Sequence, residues 1–146
     1  MFSRITDAAM NKTINNDVRK IGRLCWHITI TIKEMTHLAG LKDIKGPDEH
    51  APIPQTMKEI MDAYKTSSDS LLAEVEKHWT DGYLPEQVKM YGDMWSIGTV
   101  LSVLIRHQAH HRGQLTVLMR AEGLKPNGVY GPSKEEWEEM KMTPQE

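Results

Sequence analysis

Three stretches of this 146-residue chain repeat apolar side chains at steps of three and four, the spacing that lines one face of an α-helix. The first runs Val18, Ile21, Cys25, Ile28, Ile32, Met35 and Ala39, with Leu24, Thr31 and Leu38 widening it on one side. It predicts a helix from about Asp17 to Leu41, ended by Gly40 and the run from Lys42 to Pro47. The second reads Met57, Met61, Tyr64, Ser68, Leu71, Val75 and His78, and predicts a helix from about Gln55 to Trp79 before Asp81-Gly82 and Pro85 break it. The third, Ile97, Leu101, Leu104, His111, Leu115 and Leu118, predicts a helix from about Trp95 to Glu122 that closes at Gly123. Ser133-Lys134-Glu135-Glu136 has the spacing of a capping box and opens a short last helix.

No alternating β-branched run bounded by hairpin turn residues stands out, so the pattern predicts an all-α fold, with Gln87 to Tyr91 irregular or a brief turn. Helices joined by short links fold back on one another as a bundle. Three long helices are one short of four. Phe2, Ile5 and Ala9 have helical spacing, but Met1 to Asn11 allows only two or three turns. The expectation is that the C-terminal segment or a second subunit completes the bundle, and an open apolar groove favours a homodimer.

Composition narrows the class. At this length, with 39% hydrophobic residues, residues 1–146 are expected to make one domain around one core. The formal net charge is −2 with both signs interspersed, which argues against nucleic acid or an anionic membrane as partner. No apolar run approaches a membrane span, the N-terminus lacks the order of a signal peptide, and the one cysteine, Cys25, suits a reducing compartment. A cytoplasmic protein is expected. Ten Met against one Phe imply a core of aliphatic and Met side chains.

The chemistry concentrates in Arg106 to Leu115. His107 and His111 are four residues apart on the third helix, so both rings leave one face and can converge on one metal ion. His111 stands where a buried leucine would be expected, and burying unpartnered imidazoles is costly. A metal satisfies them, and so would hydrogen bonds to neighbours at the edge of the core. His27 lies at the flank of the first helix's stripe, where, taken alone, it reads as a histidine packed at a core edge.

Trp26-His27 within the first long helix, the run from His107 through Leu115 followed by Leu118-Met119-Arg120 and Gly123-Leu124, and the ending Gly128-Val129-Tyr130-Gly131-Pro132 together resemble the DinB/YfiT-like superfamily. The resemblance covers about Ile5 to Trp137. It implies a four-helix bundle and a three-histidine metal site of His27, His107 and His111, binding a divalent transition metal such as Zn or Ni. It also implies a long first helix ahead of Ile5 to Asn11, of which this sequence has almost none. Metal-dependent hydrolysis, or transfer of a low-molecular-weight thiol such as bacillithiol or mycothiol to a small electrophile, are the activities it implies.

Around that motif, His110 is turned about 100° from His111 and reads as an outer neighbour or a surface residue. Arg112 is expected to pair with a carboxylate or cap a neighbouring helix, and Gly113 to allow close helix packing. Gln114 lies seven residues beyond His107 and Glu34 seven beyond His27, so either can support the site from outside it. Cys25 points to a different face from His27 and reads as a buried, inert thiol. His37, His50 and His78 lack motif context, although His78 suits the C-terminal end of its helix. The alternative to an enzyme is a metal-binding or dimeric interaction module whose histidines only hold helices together. Against it, a closed zinc site normally shows a fourth protein ligand, and none is convincingly placed. Lys42 to Pro54 and Thr80 to Asp93 are the loops on which substrate choice would depend.

Overall fold

The computed structural model describes residues 1–144. It is mostly helical: α1 (Ile21–Leu38), α2 (Met57–His78), α3 (Ile97–Ala121) and the short α4 (Lys134–Glu139), with a two-stranded antiparallel sheet of β1 (Gln87–Met90) and β2 (Asp93–Ser96) between α2 and α3. Helix α1 is the element against which both α2 and α3 pack.

The first stripe holds for Ile21, Cys25, Ile28, Ile32, Met35 and Ala39, all buried, and for Leu24 and Thr31. Val18 and Leu38 are exposed. Val18 falls out because α1 starts at Ile21 rather than Asp17. The Thr13 hydroxyl donates to the carbonyls of both Asn15 and Val18, which holds the preceding residues in a loop. The α2 stripe is displaced by one residue. Met57, Ile60 and Ser67 are buried, Met61, Tyr64, Ser68, Leu71 and Val75 are half-buried, and His78 is exposed. On α3 the buried row is Ile97, Val100, Leu104, Gln108, His111, Leu115 and Leu118, with Leu101 half-buried.

The expectation of an all-α chain fails at Gln87 to Ser96. Tyr91 (φ 50°) and Gly92 (φ 93°) both take the left-handed region, the requirement of the two-residue turn that matches strand twist, and the flanking strands pair across it. The strand contributes Met90, which is fully buried against Met35, Ala39, Val100 and Leu104. Apolar burial here outweighs the weak strand propensity of the segment.

Helix ends follow local chemistry. Thr56 and Glu59 form a capping box at α2, Ser96 accepts from Thr99 N at α3, and Ser133 and Glu136 form the expected box at α4. The Asp7 carboxylate accepts from Met57 N, tying the N-terminal segment to α2. That segment forms two 3-10 turns, Phe2–Arg4 and Asp7–Ala9, instead of an α-helix, yet Ile5, Ala9 and Met10 are buried as core.

The buried apolar residues form two clusters. One joins the N-terminal segment to Ile21–Ile30 of α1, Met57 and Ile60 of α2, and Leu115, Leu118 and Met119 of α3. The other joins Met35 and Ala39 to Met90, Val100 and Leu104. Between them on α3 lie His107, Gln108 and His111, and on α1 Thr31. The buried hydroxyls of Thr29, Thr31 and Thr36 donate to carbonyls one turn back on α1, so they leave no unsatisfied group. Among the described residues no helix is long and apolar enough to cross a membrane.

Candidate metal centre

Because α1 and α3 lie side by side, the His27 ring meets His107 and His111 across 80 residues of chain. His107 Nε2 is 3.1 Å from His27 Nε2 and 3.1 Å from His111 Nε2, and one nitrogen from each ring lies within 4.8 Å of the others. The rings meet edge to face, with centroids 4.3–4.9 Å apart.

The two 3.1 Å separations fit a shared cation. Three nitrogens about 2.0–2.1 Å from one ion, at angles between a right angle and the tetrahedral value, stand about 2.9–3.4 Å apart. A hydrogen-bonded trio of neutral rings fits less well. Gln114 Oε1 lies 2.7 Å from His111 Nδ1 and can only accept, so that nitrogen carries the proton and Nε2 is left with its lone pair. His107 Nε2 then faces two ring nitrogens with one proton at most to offer. His107 Nδ1 is buried without a hydrogen-bond partner among the described residues, so no hydrogen bond at that nitrogen helps to orient the ring.

The electrostatics keep the rings neutral. Burial, then the neighbouring His111 and Arg19, holds His27 down at about 4, and burial followed by His111 and His110 does the same for His107. His111 is also lowered, chiefly by burial, but its hydrogen bond to Gln114 opposes the shift. Neutral imidazoles offer lone pairs at neutral pH, the form that binds metal. Among the described residues no fourth His, Cys, Asp or Glu joins the group, which would leave coordination positions open on an ion held there.

The surrounding residues divide. Gln114 supports His111, and its Nε2 lies 3.2 Å from Nε2 of the exposed His110. Glu34 does not support His27; it accepts instead from the Tyr91 hydroxyl of the hairpin at 2.9 Å. Among the described residues Arg112 forms no ion pair, and it donates to the Gln108 carbonyl one turn back. Nothing stands within 4 Å of where a side chain at Gly113 would be, so this glycine is not a close-packing device. Cys25 is fully buried, and burial pushes its thiol up to about 12. His37 and His50 stay outside the cluster.

Two features escaped sequence reasoning. Gln108 is buried and bridges three helices, donating to the Ile28 carbonyl of α1 at 2.9 Å and lying 3.4 Å from the Tyr64 hydroxyl of α2. Its position four residues after Leu104 was the available signal. Asp43, Glu74 and His78 also bring donor atoms together, at exposed or half-exposed positions. Glu74 is already paired there with His78 at 3.2 Å and Lys77 at 3.9 Å, an arrangement that needs no ion.

The whole chain, residues 1–146, matches the model of the DinB family. The chain is 36% identical over 137 residues to the uncharacterized protein YrdA of Bacillus subtilis (strain 168), covering 94% of this chain and 81% of that protein. It also superposes on the crystal structure of a DinB-like protein from Bacillus cereus ATCC 10987 with a TM-score of 0.83 at 34% identity, covering 89% of this chain and 86% of that one.

Proposed function

This chain belongs to the DinB family, and from that premise we propose that it binds one divalent transition metal, Zn or Ni, through His27, His107 and His111, and uses it on a small electrophilic substrate. The observation that carries the proposal is the convergence of the three Nε2 atoms, two of the pairs at 3.1 Å, with Gln114 holding the His111 lone pair inward. A divalent ion on three neutral imidazoles keeps its full charge and brings bound water to a pKa of about 7 or holds a thiol as thiolate.

Hydrolysis by bound water and transfer of a low-molecular-weight thiol are the two reactions this chemistry serves. Within them, His27 and the His107/His111 pair hold the ion from facing helices, Gln114 keeps His111 in the required tautomer, and the lack of a fourth protein ligand among the described residues leaves room for substrate. No protein nucleophile enters the proposal, because the one cysteine, Cys25, is buried and held as the neutral thiol. We propose homodimer formation as a further part of the reading. Sedimentation at micromolar concentration checks that part, and a stable monomer excludes it.

The deciding experiment is elemental analysis of the gently purified protein beside His27→Ala, His107→Ala and His111→Ala. About one divalent metal per chain, lost in all three variants, is expected. Absence of metal after reconstitution would leave the histidines as helix-packing residues in a non-catalytic module. Retention in His27→Ala alone would remove His27 from the site.

A further inference from the structure

Beside the histidines lies a groove of about 400 Å³ whose lining includes Ile14, Val18, Arg19, Gln114, Val117 and Leu118. Its floor is core, since Leu24 and Leu118 are buried, but Ile14, Val18 and Val117 are held out in solvent at 54%, 37% and 58% exposure. The first two sit on the loop before α1, which is built and not merely a connection. Ile21 N donates to the Lys12 carbonyl, closing the loop's ends, and Thr13 and Asn15 make hydrogen bonds inside it. Compact loops closed at the base in this way often carry function.

Two links tie the groove to the candidate metal centre. Gln114 lines it while contacting His111 at 2.7 Å. Leu24 lines it from one turn before His27 on α1. Along α3, His111 to Val117 spans about 9 Å at 1.5 Å per residue, room for a short aliphatic chain.

The charge on the rim favours an anion. Arg19 lines the groove and forms no ion pair among the described residues. Asp17 lines the same groove and balances it with one negative charge. A divalent ion on three neutral imidazoles would add two positive charges at the inner end, and with it the balance would be positive.

We propose that this groove seats the substrate, and that it takes a small aliphatic molecule whose carboxylate pairs with Arg19 while its reactive end reaches the histidine cluster. The inference rests on the metal-site reading above and adds to it the chemical class of the substrate and a residue that selects it. Arg19 is a specificity residue here; its charge acts on all three histidines, but it is not one of the ligands, and cobalt stoichiometry checks that its replacement leaves them in place.

The test uses cobalt(II)-loaded protein and 6-mercaptohexanoate, whose thiol gives up its proton on binding and reports through thiolate-to-cobalt absorption. The comparison compound is 6-mercaptohexan-1-ol, of similar length and without the charge. Wild type should bind the acid about three- to tenfold more tightly than the alcohol, and Arg19→Gln should erase that preference at unchanged cobalt stoichiometry. Equal binding of the two thiols by wild type, or a preference that survives in Arg19→Gln, overturns the proposal. Failure to bind cobalt is a failure of the metal reading, and the groove is then decided without metal. Hexanoate, and not hexanamide, should shift the methyl resonances of Ile14, Val18 and Val117 in the metal-free protein. No shift with hexanoate overturns the groove assignment.

Discussion

Gln114 Oε1 stands 2.7 Å from His111 Nδ1, one turn along the same helix, and this contact decides which nitrogen of His111 is free. An amide oxygen can only accept, so the ring proton sits on Nδ1 and the lone pair on Nε2 faces His107, 3.1 Å away. Outer partners of this kind typically change metal affinity ten- to a hundredfold when removed. Gln114→Ala is therefore expected to bind metal about tenfold more weakly in chelator competition while keeping one ion per chain. Unchanged affinity would show that packing alone orients His111.

The pH dependence of the metal-free protein follows from the lowered histidines. His27 and His107 are held at about 4 in the folded chain, below the ordinary 6.5, so between those values the unfolded chain binds more protons than the folded one. Stability must then rise with pH through that window. Acidification from about 6.5 toward 4 should lower the melting temperature, and the loss from these two groups should be complete below about 4. Bound metal should be released over the same acid range, since protons compete for the same lone pairs. Urea unfolding of the chelated protein at several pH values checks the slope. His27→Phe/His107→Phe should flatten it.

Gly113 makes a different prediction from the one its place in the motif invites. It lies inside α3 with open space around it, so a methyl group there meets nothing. Gly113→Ala should stabilise the protein by up to about 1 kcal/mol through helix propensity, a rise in melting temperature of about 2–4 °C for a chain of this size. A fall would mean that the glycine is needed by something other than the folded chain itself, such as a bound ligand.

Cys25 should be silent. With no exposed surface and a thiol held near 12, it should resist iodoacetamide at pH 8 while the urea-unfolded control is fully alkylated. Intact-mass measurement reads both. Rapid modification of the native protein would require α1 to open locally.

Much of this was legible in the amino-acid order, and the failures have physical reasons. The α1 stripe could be read because its apolar positions admit one helical face. On α2, the rows Met57-Met61-Tyr64-Ser68 and Met57-Ile60-Tyr64-Ser67 obey the same three-four rule, and periodicity alone does not choose between them. Contact with α1 chooses the second. The hairpin was missed because Tyr91-Gly92 is not one of the usual turn pairs, and the strand is stabilised by what Met90 packs against, a non-local fact. His107 and His111 are local in sequence, so their pairing was visible. His27 meets them only through tertiary packing, and family resemblance supplied what spacing could not. Gln114 and Glu34 rested on one argument of helical phase. Gln114 reaches the cluster through His111 and not through His107, the histidine that phase paired it with, while Glu34 is taken by Tyr91, a residue that phase knows nothing about.

The layer of polar side chains between the two apolar clusters has a consequence for how the molecule comes apart. Helices α1 and α3 run through both clusters, yet at Thr31 on α1 and at His107, Gln108 and His111 on α3 the apolar rows are interrupted. An interruption of this kind marks a boundary across which one half of a protein can open while the other persists. An ion held by all three rings would join the halves and make them open together. Native-state hydrogen exchange should then show two protection levels in the chelated protein, with α1 amides near Met35 and Ala39 exchanging separately from those near Ile21 and Leu24, and a single level once the metal is restored.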